Sequence, residues 1–268
     1  MTPVVLSVAG SDPSGGAGIQ ADLNTFSALG AYGAAAITAL TAQNTRGVTG
    51  VFPVPGGFVT AQLDAVLTDL DVRAVKTGML GGPDVVDAVA DAVVKYRIKK
   101  IVIDPVMVAA SGDRLVSEET VAAIRDRLLP VATIVTPNLP EAAALLGWDE
   151  VTSGTMTKAA EALLALGPEA ALVKAGHADG PEAVDVLADP DGIREYRAPR
   201  INTRNTHGTG CTLASAIAAR FAHGAPLRDS VDVGKRYVTA ALRAADSLRI
   251  GKGNGPVHHF HAWWEACP

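Results

Sequence analysis

The stretch NTHGTGCTLASAIAARF at 205–221 joins a glycine-rich turn to a run with helical apolar spacing, and a thiol stands at the junction. The pattern predicts a helix that begins just after Gly208. Backbone amides at such a start, aided by the helix dipole, bind anions and stabilise negative charge on a transferred phosphoryl group. In the first turn, the dipole is expected to lower the pKa of Cys211, so that a thiolate could accept the proton of a substrate hydroxyl.

Two other interpretations of Cys211 stay open on chemistry alone. Free cysteine is among the most buried residue types, so Cys211 could simply pack against a sheet. It could also be the nucleophile of a cysteine hydrolase, because His207 lies close in the chain. That reading is weakened because no set of His, Asn and Asp partners can be identified from the sequence.

Charged residues follow several of the short apolar runs. Asp104 and Glu141 are candidates for holding a hydrated Mg²⁺, which prefers oxygen ligands, and Lys174 could neutralise phosphate charge. Each also has an ordinary structural explanation: a loop cap, a first-turn helix acid and a lysine with its stem on apolar surface. Their occurrence on one face of a sheet would favour the functional reading.

A second glycine-rich loop, GSDPSGGAG at 10–18, follows the first apolar run. Within it, GAGIQA at 16–21 matches a relaxed dinucleotide fingerprint, which would indicate a dehydrogenase. The glycines start several residues after the predicted strand, and no ribose-binding acid lies near Ala36, so we reject that reading. The chain also lacks the G-x-x-x-x-G-K-[ST] motif, so it is not a P-loop enzyme.

Short apolar runs alternate with amphipathic segments along the chain. The runs that predict buried parallel strands are 4–9, 34–40, 72–77, 100–104, 132–136 and 170–175. The segments that predict helices are 19–29, 57–70, one from Pro83, one capped by Ser117, and 139–146. This rhythm predicts an α/β sheet with helices on both faces, and DPDG at 189–192 predicts an antiparallel hairpin at one edge late in the chain. In such a sheet, ligands collect beyond the carboxyl ends of the strands.

Whole-chain composition limits the function further. The 268 residues are 48% hydrophobic with a mean hydropathy of +0.23, so they can bury a large core, and we expect one domain over 1–268. A net charge of −5 without any basic run argues against nucleic-acid and anionic-membrane partners and favours a small-molecule substrate. Two cysteines form no disulfide framework, and neither a signal peptide nor an 18-residue apolar run is present, so we expect a cytoplasmic protein.

Several motifs together carry a resemblance over essentially the full length. They are 9–33, ITALTAQNT at 37–45, KTGML at 76–80, DPVM at 104–107, SGD at 111–113, TPNLPEA at 136–142, VKAGH at 173–177, NTHGTGCTLASAIAA at 205–219 and GPVHHFHAWW at 255–264. The chain resembles the hydroxymethylpyrimidine/phosphomethylpyrimidine kinases of thiamine biosynthesis, which are ribokinase-like. The resemblance implies a three-layer α/β/α fold with a mostly parallel central sheet and antiparallel edge strands. It also implies a homodimer and ATP- and Mg²⁺-dependent phosphorylation of 4-amino-5-hydroxymethyl-2-methylpyrimidine, then of its monophosphate.

The same resemblance assigns roles to individual residues. The catalytic thiol falls on Cys211, in the place of the general-base Asp of sugar kinases in the superfamily. The remaining assignments are the anion hole at Gly208, Thr209 and Gly210, the pyrimidine contacts at Gln43, Asp22, Met79 and the backbone of Ala17, the metal ligands Asp104 and Glu141, and the ATP or phosphate contacts Lys174 and Thr206. An amide such as Gln43 can both donate and accept along an aminopyrimidine edge. Ala110 stands where family members often have Lys, which bears on how the more anionic second substrate is held.

Two rival functions remain at this point. A pyridoxal or pyridoxine kinase of the same family would share the fold and the anion-binding helix start at 208–211. Gln43 and Met79 favour an aminopyrimidine substrate over pyridoxal. A non-catalytic sensor of thiamine precursors is disfavoured because the residues for catalysis are intact, namely Asp104, Glu141, Lys174 and Cys211. For the kinase, a neutral thiol would repel a phosphorylated second substrate less than a fixed carboxylate would.

Overall fold

The computed structural model describes residues 1–107, 116–176 and 180–264. The described strands are β1 (Val4–Ser11), β2 (Tyr32–Asn44), β3 (Gly47–Pro53), β4 (Val72–Thr77), β5 (Ile101–Ile103), β6 (Ile134–Val135), β7 (Ala171–Lys174), β8 (Glu182–Asp189) and β9 (Gly192–Pro199). The described α-helices are α1 (Gly18–Ala28), α2 (Gly56–Leu67), α3 (Pro83–Lys95), α4 (Glu118–Ala123), α5 (Leu139–Leu146), α6 (Met156–Leu164), α7 (Thr209–Ala222) and α8 (Leu227–Ala244). All six predicted strands and the predicted helices are present. α4 continues into a π-helical turn, Ile124–Leu128.

The strands form one sheet in the order β3-β2-β1-β4-β5-β6-β7-β8-β9. Its centre, from β2 to β7, is parallel, while β3 and the β8–β9 pair are antiparallel. The hairpin predicted from DPDG is confirmed, because Asp189 pairs with Gly192. The sequence did not predict β3. This strand makes the other edge of the sheet antiparallel as well. β2 is longer than predicted and carries Gln43 within the strand rather than in a following loop.

Two apolar layers cover the two faces of the sheet. On one face α2, α3, α4, α5 and α6 pack over residues such as Val86, Leu128 and Leu145. On the other face α1, α7 and α8 enclose a second cluster that includes Phe26 and Ile217. Full burial of such side chains contributes roughly 1.5–3 kcal/mol each relative to exposure, so both layers are needed to hold the sheet. The three-layer arrangement agrees with the predicted fold class.

Local capping fixes where α5 begins. The Asn138 side chain accepts a hydrogen bond from the Glu141 amide at 2.9 Å, and Glu141 Oε2 accepts one from the Asn138 amide at 2.8 Å. This capping box satisfies two amides that a helix start leaves without partners. α5 ends at Leu146 and is capped by Gly147, which takes the left-handed conformation with φ of 67°. The carboxylate of Glu141 is thereby held at the end of β6.

No helix among the described residues is long and apolar enough to cross a lipid bilayer. Several sequence predictions lie outside the described residues. These are the departure at Ala110, the SGD motif at 111–113, His177 of the VKAGH motif, and Cys267, the second of the two cysteines.

Candidate active site

The predicted site residues meet at the carboxyl edge of the parallel strands. The chain leaves β1 for β2 on one side of the sheet and then crosses to β4 on the other side of β1. Ligands of open α/β sheets bind at such a reversal of strand order, beyond the carboxyl ends of the strands. α7 packs against β1, β4 and β5, and its N-terminus opens at this edge.

The turn before α7 has the geometry of an anion nest. Gly208 caps the helix with φ of 80°, and a Cβ there would lie 1.9 Å from the carbonyl oxygen of Gly16, so only glycine fits. The Thr209 amide donates to the carbonyl of Thr206 at 3.2 Å, which leaves it engaged within the turn. The amides of Gly210 and Cys211 lie in the first turn, where a helix supplies no acceptor of its own. These two amides are therefore the ones best placed to meet an anion.

An acid and a lysine flank the nest. Lys174 Nζ donates to Asp104 Oδ1 at 2.9 Å, and a Cβ on Gly210 would lie 3.4 Å from that Nζ and 3.9 Å from Asp104 Oδ2. Burial lowers the pKa of Lys174, but the negative charges of Asp104 and Glu141 outweigh it and raise the pKa. Burial also raises the pKa of Glu141 to about 7, and the charge of Lys174 offsets only part of that effect.

One oxygen of this group has no partner among the described residues. Asp104 Oδ2 forms no hydrogen bond there, and the residue is buried, with only 2% of its surface exposed. An unpaired buried carboxylate oxygen is costly unless a ligand or cation satisfies it. Hard oxygen donors of this kind suit Mg²⁺, so Asp104 fits the predicted metal role. Glu141 is near enough for its charge to act on Lys174, but its Oε2 already accepts from the Asn138 amide.

The predicted pKa of Cys211 is wrong in direction. Burial raises the pKa of this thiol to about 11, and the nearby charge of Lys76 opposes the shift without reversing it. The side chain is only partly buried, but Asp22 and Asp104 add negative charge around it. Desolvation and the two carboxylates therefore raise the pKa of Cys211 by more than the helix dipole lowers it. Cys211 is a neutral thiol at pH 7 in the unliganded protein.

Asp22 lies behind the site rather than on its surface. Its carboxylate is fully buried and accepts hydrogen bonds from Ser7 Oγ at 2.5 Å, Ser215 Oγ at 2.7 Å and Lys76 Nζ at 2.9 Å. Its predicted direct contact with a pyrimidine would require it to exchange one of these partners.

Gln43 and Met79 lie beside the glycine-rich loop that follows β1, and Ala17 is part of that loop. The Gln43 amide nitrogen lies 3.4 Å from His207 Nε2. Met79 is nearly buried, and its Cε would be 2.6 Å from a Cβ on Gly10. The Ala17 amide donates to Asp12 Oδ2 at 2.9 Å, so in this state that backbone donor is engaged. The structure thus brings these residues to the same edge as the nest.

Comparison with known proteins decides the family. The model of the phosphomethylpyrimidine kinase family matches residues 12–258. The chain belongs to this family. It is 55% identical over 269 residues to a hydroxymethylpyrimidine/phosphomethylpyrimidine kinase of Rhizobium meliloti, covering 99% of this chain and 100% of the relative.

Solved structures confirm the predicted ribokinase-like fold for this phosphomethylpyrimidine kinase family member. A Bacillus subtilis pyridoxal kinase in an ADP complex is similar with a TM-score of 0.91 and 36% identity, covering 99% of this chain and 100% of that one. A Clostridium difficile phosphomethylpyrimidine kinase is similar with a TM-score of 0.79 and 41% identity, covering 90% and 100%.

In this family member, the sequence assigns no role to Asp12 and indicates His207 only as a neighbour of a nucleophilic Cys211. His207 Nε2 lies 2.7 Å from Asp12 Oδ2, and both side chains are buried. Because a carboxylate only accepts, the Nε2 proton of His207 points to Asp12, and His207 cannot also accept from Gln43 there. The pair joins the glycine-rich loop to the turn before α7. Each residue stands within a recognised motif, but only the fold reveals that the two meet.

Proposed function

We propose that this chain phosphorylates 4-amino-5-hydroxymethyl-2-methylpyrimidine and then its monophosphate, using ATP and Mg²⁺. The observation that carries the proposal is the convergence, at one sheet edge, of the α7 nest, the thiol of Cys211 and the Asp104–Lys174 pair. Phosphoryl transfer is catalysed mainly by positioning and by electrostatic stabilisation, and these groups supply both.

Asp104 and Glu141 would hold the metal. When bound, Mg²⁺ neutralises charge on the phosphates of ATP and on the group being transferred. The unpartnered Oδ2 of Asp104 supports this role, as does the raised pKa of Glu141, because added positive charge would favour its ionised form. The other Asp104 oxygen is kept in place by Lys174.

The nest and its flanking cation would bind the phosphates. The amides of Gly210 and Cys211 would donate to the transferred phosphoryl group, while Gly208 and Thr209 shape the turn that presents them. Lys174 would meet the phosphates as a point charge. Thr206, whose carbonyl holds Thr209 by its amide and by its hydroxyl, would contribute to the same phosphate-binding turn.

Cys211 would hold the attacking hydroxyl and, once its own proton has passed to solvent, would take the hydroxyl proton as a thiolate. Its pKa near 11 makes the thiol a poor base in the unliganded protein, and Lys76 is the residue that favours its thiolate form. Gln43 and the backbone of Ala17 would bind the edge of the pyrimidine ring, and Met79 would pack against a ring face. Asp22 would act through Lys76, which it holds in place. The order of events is binding, alignment of the hydroxyl, phosphoryl transfer and proton loss to sulfur.

A thiol, which carries charge only after losing its proton, suits two successive substrates, because only the alcohol has a proton that must be removed. The first presents an alcohol and the second a phosphate oxygen, which a fixed carboxylate would repel. Cys211→Asp should therefore impair phosphorylation of the monophosphate more than phosphorylation of the alcohol. If both steps in this variant lose the same factor in kcat/KM, the charge argument fails.

The deciding experiment offers hydroxymethylpyrimidine, its monophosphate and pyridoxal in parallel, with ATP turnover followed and products identified by mass. Formation of the pyrimidine pyrophosphate supports the proposal. Turnover of pyridoxal alone would assign the site to the other ring and overturn the role of Gln43. Absence of any ATP-dependent product would favour a non-catalytic sensor.

We also propose the setting in which this activity operates: one kinase domain over 1–268, in the cytoplasm, as a homodimer without nucleic-acid or membrane partners. The edge strand β3 exposes Val51 and Phe52, and Leu40 beside Phe52 on β2 is also exposed. Exposed apolar strand edges are typical places for chain association. Light scattering after size exclusion tests the dimer, and Phe52→Lys should shift it to monomer.

A further inference from the structure

The segment 255–259, here called the clasp, packs behind the turn that leads into α7. The His207 amide donates to the carbonyl of Gly255 at 3.0 Å, and the Val257 amide donates to the carbonyl of His207 at 3.3 Å. These bonds form a short parallel bridge between His207 and Pro256. The clasp therefore pairs, through its backbone, with the residue that directly precedes Gly208.

A chain of side-chain hydrogen bonds runs from the clasp to the same turn. Thr212 Oγ1 lies 2.8 Å from the carbonyl oxygen of Gly208, and His259 Nε2 lies 3.1 Å from Thr212 Oγ1. A carbonyl can only accept, so the single hydroxyl proton of Thr212 goes to Gly208. His259 must then donate through its Nε2 proton. Both side chains are buried, which makes loss of either partner costly.

His259 is itself fixed. Its carbonyl accepts a hydrogen bond from Tyr237 Oη at 2.6 Å, which ties the clasp to α8. Burial lowers the pKa of His259 to about 4, so the ring is neutral at physiological pH. A neutral ring with its proton on Nε2 is the form that the hydrogen-bond pattern requires.

The hydrogen bonds that start at His259 end at a peptide group of the nest, between Gly208 and Thr209. The Gly208 carbonyl accepts from the Thr212 amide at 2.9 Å as well as from the Thr212 hydroxyl, so its direction is set by two bonds. A peptide unit is planar, so fixing this carbonyl also fixes the N–H of Thr209 and the path into Gly210. We infer that His259 is a positioning residue for phosphoryl transfer, which holds the nest through Thr212 and Gly208. This inference rests on the proposed role of the nest.

The test compares variants that break or keep the donor. His259→Leu removes it and is expected to lower kcat by roughly 10-fold to 100-fold, since small misplacements of catalytic groups cost up to about 10²-fold. KM for the pyrimidine should change little, because the His259 side chain bonds Thr212 and neither Gln43 nor the ring of His207. His259→Gln keeps an N–H donor and should recover most of kcat. Thr212→Val should match His259→Leu, and the double variant should lose no more than either single variant.

Two further measurements separate positioning from general damage. Hydrogen exchange at the amides of Thr209 and Thr212, which bond the carbonyls of Thr206 and Gly208, should quicken in His259→Leu and Thr212→Val but not in His259→Gln. His258→Leu is the matched control, because it removes a buried histidine of the clasp whose ring packs against Trp264, while the bond to Thr212 comes from His259. It should keep the exchange pattern of the original chain.

The outcomes are distinguishable. A His259→Leu enzyme with unchanged kcat and unchanged exchange would overturn the inference. Equal loss of kcat in His259→Leu and His258→Leu, in proportion to lost thermal stability, would also overturn it. If the unaltered chain phosphorylates no pyrimidine, the proposed function fails, while the exchange comparison still decides whether His259 holds the nest.

Discussion

Lys76 and Asp22 form an ion pair in which both side chains are fully buried, with Nζ 2.9 Å from Oδ1 and 3.0 Å from Oδ2. Asp22 is also bonded to Ser215, one helical turn after Cys211 on α7. Burial lowers the pKa of Lys76, but the charge of Asp22 outweighs it and raises the pKa. A permanent positive charge, held by a buried acid, thus lies near the thiol. Burying such a pair costs free energy. Its position beside the site gives a functional reason for keeping it.

Breaking this pair should destabilise the protein strongly. Lys76→Met leaves the Asp22 charge buried without its partner, and the free energy of unfolding is expected to fall by about 3–5 kcal/mol. Urea denaturation followed by circular dichroism measures this. Lys76→Met combined with Asp22→Leu should recover part of the loss. As a control, Lys95→Met removes an exposed partner of Asp64 and should change stability far less.

Alkylation of Cys211 should be slow at neutral pH. Its pKa of about 11 means that the reactive thiolate appears only at high pH, whereas an ordinary thiol ionises near about 8.5. The rate with iodoacetamide, measured in a Cys267→Ser background, should still be rising above pH 9. Lys76→Met should move the profile to higher pH, because the lost positive charge favoured the thiolate. A rate that levels off below pH 8 would contradict the raised pKa.

Glu141 should make the metal-free protein less stable as pH rises. Its folded pKa of about 7 lies above the unfolded value near 4.5, so the folded state binds the proton more tightly. The stabilisation is full below pH 4.5 and is lost by about pH 7, amounting to at most about 3 kcal/mol. Between pH 5 and pH 8, the free energy of unfolding of Glu141→Gln should therefore rise relative to that of the original chain. Urea denaturation in the presence of EDTA measures this difference. A constant difference across this range would show that the carboxyl ionises normally.

Loosening the glycine-rich loop should weaken substrate binding. Asp12→Asn removes the charge that bonds His207 and, through Oδ1, the amide and hydroxyl of Ser14. KM for the pyrimidine should rise several-fold, while KM for ATP changes less, because the loop borders Gln43. Hydrogen bonds from His207 and Ser14 outweigh burial and lower the pKa of Asp12, so its contribution to stability is lost as pH falls below about 4. Asp126→Asn, an exposed pair with Arg125, is the control that should leave both KM values unchanged.

The sequence alone settled the alternation of strands and helices, because apolar periodicity reports directly which face of each element is buried. It also indicated the nest, since glycines before an apolar helical run predict their own local geometry. β3 escaped prediction because GVTGVFP is largely exposed at a sheet edge and lacks a buried alternation. Capping at Ser117 and the hairpin at Asp189 were readable because they depend on near neighbours in the chain.

Pairings between distant residues needed the tertiary structure. Asp12 and His207 are 195 positions apart, and no local pattern announces their contact. The same holds for His259 with Thr212 and for Lys76 with Asp22. The pKa of Cys211 was misjudged for a related reason: the helix start is visible in the sequence, but desolvation and the charges of Asp22 and Asp104 are not. Residue types and spacing determined the fold class, the family and the motifs of the site, whereas packing decided which charges meet and which protons are held.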